Sequence, residues 1–188
     1  MSKESIRLVQ LIHPAAGRRV AIVQEPSLVL LHDTTSIYQL ALYALDGKEK
    51  METIVLSRLS TELLNYDAVY EGRSDWKLLA SFDHPQNPAA CIVSGTGLTH
   101  KNSALNRQMM HQAQDTTLTP SMEMYQWGLE GGHPVKATVG VQPEWFYKGT
   151  GDILRGHGAS LEIPAFGNDG GEEPEVAGAY IVDRNGKP

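Results

Sequence analysis

Residues 6–31 read IRLVQLIHPAAGRRVAIVQEPSLVLL, and this stretch sets how the chain begins to fold. It holds three apolar runs, IRLVQLI, RRVAIVQ and SLVLL, separated by Pro-Ala-Ala-Gly and by Glu-Pro. Short runs rich in Val, Ile and Leu and bounded by Pro and Gly read as strands. The first two are expected to form a hairpin across residues 13–18.

After these strands, SIYQLALYALD at 36–46 changes character. Strong helix formers after a Thr/Ser start predict a helix ended by Gly47. A second helix is expected from about Lys50 to Asn65, where Ile54, Val55, Leu59, Leu63 and Leu64 fall near one helical face. WKLLASF at 76–82 reads as a strand, and the Asp-His-Pro-Gln-Asn-Pro turn at 83–88 as a boundary. Residues 1–85 are therefore expected to form a small N-terminal α/β lobe. Its His13, His32 and His84 adjoin turns and show no ligand spacing, so no metal or catalytic role is expected there.

The second half opens with a short buried strand, Ala-Cys-Ile-Val at 90–93, followed by a Gly loop, SGTGLTH. Short helices are expected at 103–114 and 121–130. The final VAGAYIVDRNGKP alternates into a strand and stops at Asn185-Gly186, a hairpin-turn signal. A chain ending just after such a turn has lost its pairing strand, so the C-terminus reads as cut off within a domain.

Composition narrows the function classes. With 41% apolar and 20% charged residues in 188, the chain has the make-up of an ordinary globular protein with a proper core. Its net charge of −6 and lack of Lys/Arg blocks argue against nucleic-acid binding. MSKESIRLVQLIHP has no secretory apolar region, and no run approaches the roughly 20 apolar residues that span a bilayer. No membrane partner is expected. The single cysteine, Cys91, lies between Ala90 and Ile92 and reads as a buried thiol. A cytoplasmic location fits these features.

Candidate chemistry gathers between residues 94 and 175. SGTGLTH lacks the third glycine of a dinucleotide loop and the Gly-Lys-Ser/Thr of a phosphate loop. What remains is a glycine loop delivering His100, a general base at neutral pH or simply a surface histidine. Lys148 follows Trp145, Phe146 and Tyr147, a setting that can desolvate its amine or hold it by cation–π packing. Glu173 and Glu175 point to the same face of an extended strand, whereas Glu172 points to the other. Two parallel carboxylates suit a hard divalent cation, or else form a solvated acidic turn. His-Glu-x-x-His, paired cysteines and Gly-x-Ser-x-Gly are absent from the sequence, which disfavours zinc proteases and serine hydrolases.

In order and spacing, SGTGLTHKNSA, PEWFYKGTGDILRGHGASLEIPAF and EEPEVAGAYIVDRNGKP resemble the fumarylacetoacetate hydrolase family, closest to a branch of sugar-acid catabolism. The resemblance covers about residues 88–188. It implies an α+β fold: the N-terminal lobe, then the first part of a β-rich roll over 86–188, completed by a missing C-terminal part. Glu173 and Glu175 resemble the family's metal pair, for Mg2+ or else Ca2+ or Mn2+. Lys148 resembles the lysine near the substrate, and His100 the histidine of the catalytic water site. Family members with a His-Glu dyad carry a glutamate where this chain has Ser103, and Pro174 interrupts the metal strand.

The resemblance further implies a hydrolase cleaving a C–C bond in a 2,4-diketo acid. Alternatives are a dehydratase of a 2-keto-3-deoxy sugar acid, also a 2-keto acid enzyme, or a non-catalytic fragment. A homodimer is implied as well. The family's third carboxylate ligand falls beyond Pro188, so the 188-residue chain is expected to be inactive or nearly so.

Overall fold

The computed structural model describes residues 5–96, 109, 119–168, 170 and 175–188. Its architecture is α+β. Strands β1 (Leu8–His13), β2 (Gly17–Gln24), β3 (Ser27–Leu31), β4 (Leu59–Asn65) and β5 (Lys77–Leu78) form one sheet in the order β4-β3-β2-β1-β5. Every pairing in it is antiparallel. The expected hairpin is present, with His13 opposite Gly17. The His13 ring closes the turn, its Nδ1 accepting the backbone N–H groups of Ala15 and Ala16 at 3.1 Å.

The middle strands β2 and β3 are buried on both faces, which explains why they read as nearly unbroken apolar runs. Val20, Ile22, Val29 and Leu31 face Leu40 of helix α1 (Ile37–Gly47) and Ile54 and Val55 of α2 (Met51–Ser57). Leu11, Ala21, Leu28 and Leu30 pack on the other side with Val69 of α3 (Tyr66–Tyr70). Successive residues of β2 thus serve opposite layers, as the two-residue period of a strand requires.

Helix α1 is held at its start by two side chains. Ser36 Oγ accepts from Gln39 N at 3.1 Å, and the buried Gln10 accepts Ile37 N through Oε1 at 2.8 Å. Gln10 Nε2 donates onward to Ala80 O and to Asp83 Oδ1, each at 2.8 Å. At the far end Gly47 is the last helical residue, and Lys48, at φ 48°, takes the left-handed position. Its N–H bonds to Leu45 O and that of Glu49 to Ala44 O, satisfying carbonyls the helix leaves open.

The expected helix from Lys50 to Asn65 is corrected: it ends at Ser57, and residues 59–65 are strand β4. Leu59 packs into the α1/α2 layer and Leu64 into the α3 layer, so the two leucines serve opposite faces. An apolar spacing that suits a helical face here suits a strand with one leucine packed on each side, while residues 61–63 between them are exposed. The open edge of β3 supplies the physical reason, since its backbone N–H and C=O groups are a ready template that pairs with β4. Two helices separate β3 from β4, so the chain returns to the sheet antiparallel. The expected α/β lobe is therefore α+β in its described strands, with an antiparallel sheet.

The strand expected at 76–82 shrinks to the two residues of β5, with Leu79 N bonding Gln10 O at 2.9 Å. Strand β6 runs Cys91–Thr96, so the Gly-rich stretch expected as a loop is still strand through Thr96. Helix α4 (Pro120–Gly131) matches the expected second short helix, capped by Thr119. Residues 103–114 lie, save Met109, outside the described residues. A second sheet has the order β7-β6-β8, with β7 at Trp145–Thr150 and β8 at Ala177–Ile181. At the Asn185-Gly186 turn the Asp183 carboxylate accepts N–H groups from Asn185 and Lys187, chiefly Lys187, and these bonds hold it below the usual carboxylate range.

The chain divides into two compact units. One comprises Met1–Ile92, Gly149–Glu162 and Tyr180–Pro188; the other comprises Val93–Lys148 and Ile163–Ala179. Both apolar clusters described above belong to the first.

Candidate functional site

The site is built from three segments of the second unit: 93–96 on β6, 145–148 on β7, and 175–179 leading into and along β8. On β7 the two-residue period sends Phe146 and Lys148 to the same face. Lys148 Nζ stands 5.6 Å from the Phe146 ring centroid, within reach of a cation–π contact. Phe146 and Tyr147 are themselves exposed.

Lys148 meets Glu175, 27 residues away in sequence. Its Nζ lies 2.8 Å from Oε2 and 3.1 Å from Oε1, so one ammonium spans both carboxylate oxygens. The side chains are 37% and 20% exposed, which separates this pair from a fully solvated one worth about 0–1 kcal/mol. The charge-assisted bond to Oε1 and the ion-pair contact at Oε2 hold the carboxylate against the ammonium.

Beneath the pair is Gly95, buried on the strand that lies between β7 and β8. A Cβ built there would stand 2.5 Å from Glu175 Oε2 and 2.6 Å from Lys148 Cε, closer than real Cβ atoms approach anything. Neighbouring Thr96 is buried; its N–H bonds Val176 O at 3.0 Å, and its Oγ1 has no partner among the described residues.

Of the residues singled out from the sequence, Lys148 and Glu175 are brought together. His100 and Glu173 lie outside the described residues, as do Glu172, Ser103 and Pro174. Sequence reasoning missed Gly95 by treating Ser94-Gly95-Thr96 as loop. The available signal was a glycine continuing a strand that begins in the apolar Cys91-Ile92-Val93, a place where another group comes close.

Glu175 offers the hard oxygen donor that Mg2+, Ca2+ or Mn2+ takes. A carboxylate has about four lone-pair directions, and a single ammonium on its two oxygens leaves others open. Its chemistry fits one ligand position. Among the described residues no cluster of three or more His, Cys, Asp or Glu is arranged around a common ion position.

The first unit carries a separate cavity of about 600 Å3, lined in part by Arg18, Tyr38, Gln39, Tyr43, His84 and Arg184. Its cationic groups are engaged already: Arg18 pairs with Asp83, and Arg184 Nε with Asp46 at 3.1 Å. Cys91, fully buried in that unit, has its thiol pKa pushed up to about 11, first by burial and then by the nearby Asp83 charge. Such a thiol is inert at neutral pH. Among the described residues no helix is long and apolar enough to cross a membrane.

No family model, curated protein or solved structure matches the chain.

Proposed function

We propose that this polypeptide belongs to a divalent-metal-dependent hydrolase of the fumarylacetoacetate hydrolase type, cleaving a C–C bond in a 2,4-diketo acid on a β-rich roll. The observation that carries this reading is the Lys148–Glu175 pair closed over Gly95. The three stretches on which the resemblance rests each contribute one member of that cluster.

In this reading Glu175, with Glu173, holds the divalent ion. When bound, the ion supplies Lewis-acid polarisation of the 2-keto acid's carboxylate and carbonyl oxygens. His100 takes a proton from water as its oxygen adds to the distal carbonyl. Lys148 holds negative charge on the resulting oxyanion and then on the departing enolate. The C–C bond breaks with its electron pair on the enolate carbon, and protonation there releases the 2-keto acid. The exposed Phe146 and Tyr147 offer apolar surface beside the lysine for the remainder of the substrate.

The first readout is metal binding, because two carboxylates hold such an ion weakly and turnover is expected to be low. Mn2+ added to 15N-labelled protein should broaden the amide signals of Val176 and Ala177, and Glu175→Gln should remove that broadening. Broadening that survives the substitution, or that falls only elsewhere, would discard the metal role of Glu175. Release of pyruvate from an acylpyruvate, lost in Lys148→Ala, is the expected chemistry. A dehydrated 2-keto acid formed from a 2-keto-3-deoxy sugar acid would instead make the protein a dehydratase.

A further inference from the structure

We infer that Gly95 is a positioning residue: its missing side chain is the space in which Lys148 and Glu175 meet. The catalytic meaning of the pair rests on the function proposed above, whereas the steric argument stands without it.

Glycine occupies a strand interior at a cost of roughly 0.5–1 kcal/mol relative to alanine, so its presence there calls for a reason. Backbone conformation is not the reason. Among the described residues the glycines with positive φ are Gly17, Gly72, Gly149, Gly158 and Gly186, and Gly95 is not among them. An alanine could take the Gly95 backbone without strain. What it could not do is leave the pair in place. The three heavy atoms nearest an added Cβ are Glu175 Oε2 at 2.5 Å, Lys148 Cε at 2.6 Å and Lys148 Cγ at 3.2 Å. All are side-chain atoms of the two residues in the ion pair, and none is backbone.

That composition has a specific consequence. The two closest atoms sit at the ends of flexible side chains, so a methyl group at position 95 pushes tips aside and leaves the strands where they are. The fold is retained and the pair opens. Gly95 thus works through Lys148 and Glu175. It keeps the ammonium against both carboxylate oxygens, and with them the direction in which each presents its charge. Displacements of about 1 Å at such groups are enough to cost on the order of a hundredfold in rate.

The test compares Gly95→Ala, Glu175→Gln and the wild-type chain by the rate at which an amine-acylating reagent labels Lys148, read by peptide mass spectrometry with Lys77 as internal reference. Lys148 is partly exposed and open to the reagent. Labelling of Lys148 relative to Lys77 should rise severalfold in Glu175→Gln, equally in Gly95→Ala, and no further in the double variant. A Gly95→Ala chain that labels like wild type overturns the inference.

Should Gly95→Ala fold poorly, thermal melts of the same change in a Lys148→Ala/Glu175→Ala background replace that arm. Removal of both side chains takes away the three closest atoms, so Gly95→Ala should then leave the melting temperature unchanged or raise it. An equal fall in both backgrounds would trace the glycine to backbone packing and sink the proposal. These readouts need no turnover. Failure of acylpyruvate cleavage would count against the proposed activity alone.

Discussion

The two compact units treat their apolar residues differently. In the first, Leu11, Leu28, Leu31, Leu40 and Val55 are wholly buried, and the middle strands of the sheet are covered on both faces. In the second, Val93 and Met122 are the buried apolar side chains among the described residues. Trp127, Val139, Tyr147 and Phe166 of that unit are exposed, Val139 at 98% and Phe166 at 89%. One unit is organised by burial. The candidate site of the other is organised by an ion pair and the absence of one methyl group. Hydrophobic burial is non-directional and tolerates exchange of similar side chains, whereas a charged pair over a glycine depends on distances of tenths of an ångström.

The largest expected effect is on the buried sheet. Leu31→Ala should cost about 2–5 kcal/mol in urea unfolding, because it removes atoms from a closed cluster that cannot collapse fully. Tyr147→Ala, at an exposed position, should change stability by no more than about 0.5 kcal/mol. Similar losses from both would erase the distinction between the units.

Next comes a pH effect on the first unit. The Cys91 thiol is raised from 9.0 to about 11, so the folded state favours its protonated form. That contribution is fully present below about pH 9 and is lost as pH rises through about 11. At about 1.4 kcal/mol per unit it amounts to something on the order of 2–3 kcal/mol. Cys91→Ala should flatten the alkaline limb of the stability profile over that window. An unchanged limb would mean that other groups govern it.

A smaller loss, about 1 kcal/mol, is expected for Ser36→Ala, which strips the N-cap of α1 while Gln10 still holds Ile37 N. Guanidinium titration monitored by far-ultraviolet dichroism would measure it. The smallest change is a gain. Gly128 lies inside α4 with nothing within 4 Å of an added Cβ, so Gly128→Ala should stabilise the chain by about 0.5 kcal/mol. Set beside Gly95→Ala, it pairs a glycine in open space with one whose space is occupied, and a thermal melt that falls for Gly128→Ala would contradict that contrast.

Much of the first unit could be read from residues alone. The three strands over 6–31 and the start of α1 follow from local composition, because Val/Ile/Leu runs cut by Pro and Gly, and a Ser cap before helix formers, are short-range signals. The identities of Lys148 and Glu175 as chemically interesting side chains were legible in the same way, from an aromatic-flanked lysine and an alternating acidic pair. Tertiary structure alone decided the rest. Residues 59–65 became strand because the edge of β3 needed backbone partners, a demand invisible in their own helix-compatible spacing. Ser94-Gly95-Thr96 continued β6 because strands lie on both of its sides. The meeting of Lys148 with Glu175 depended on which strands are neighbours, and the role of Gly95 on what a missing atom leaves room for. Sequence records the groups a chain carries; the distances between groups far apart along it are set only when the backbone hydrogen bonds of a sheet are satisfied.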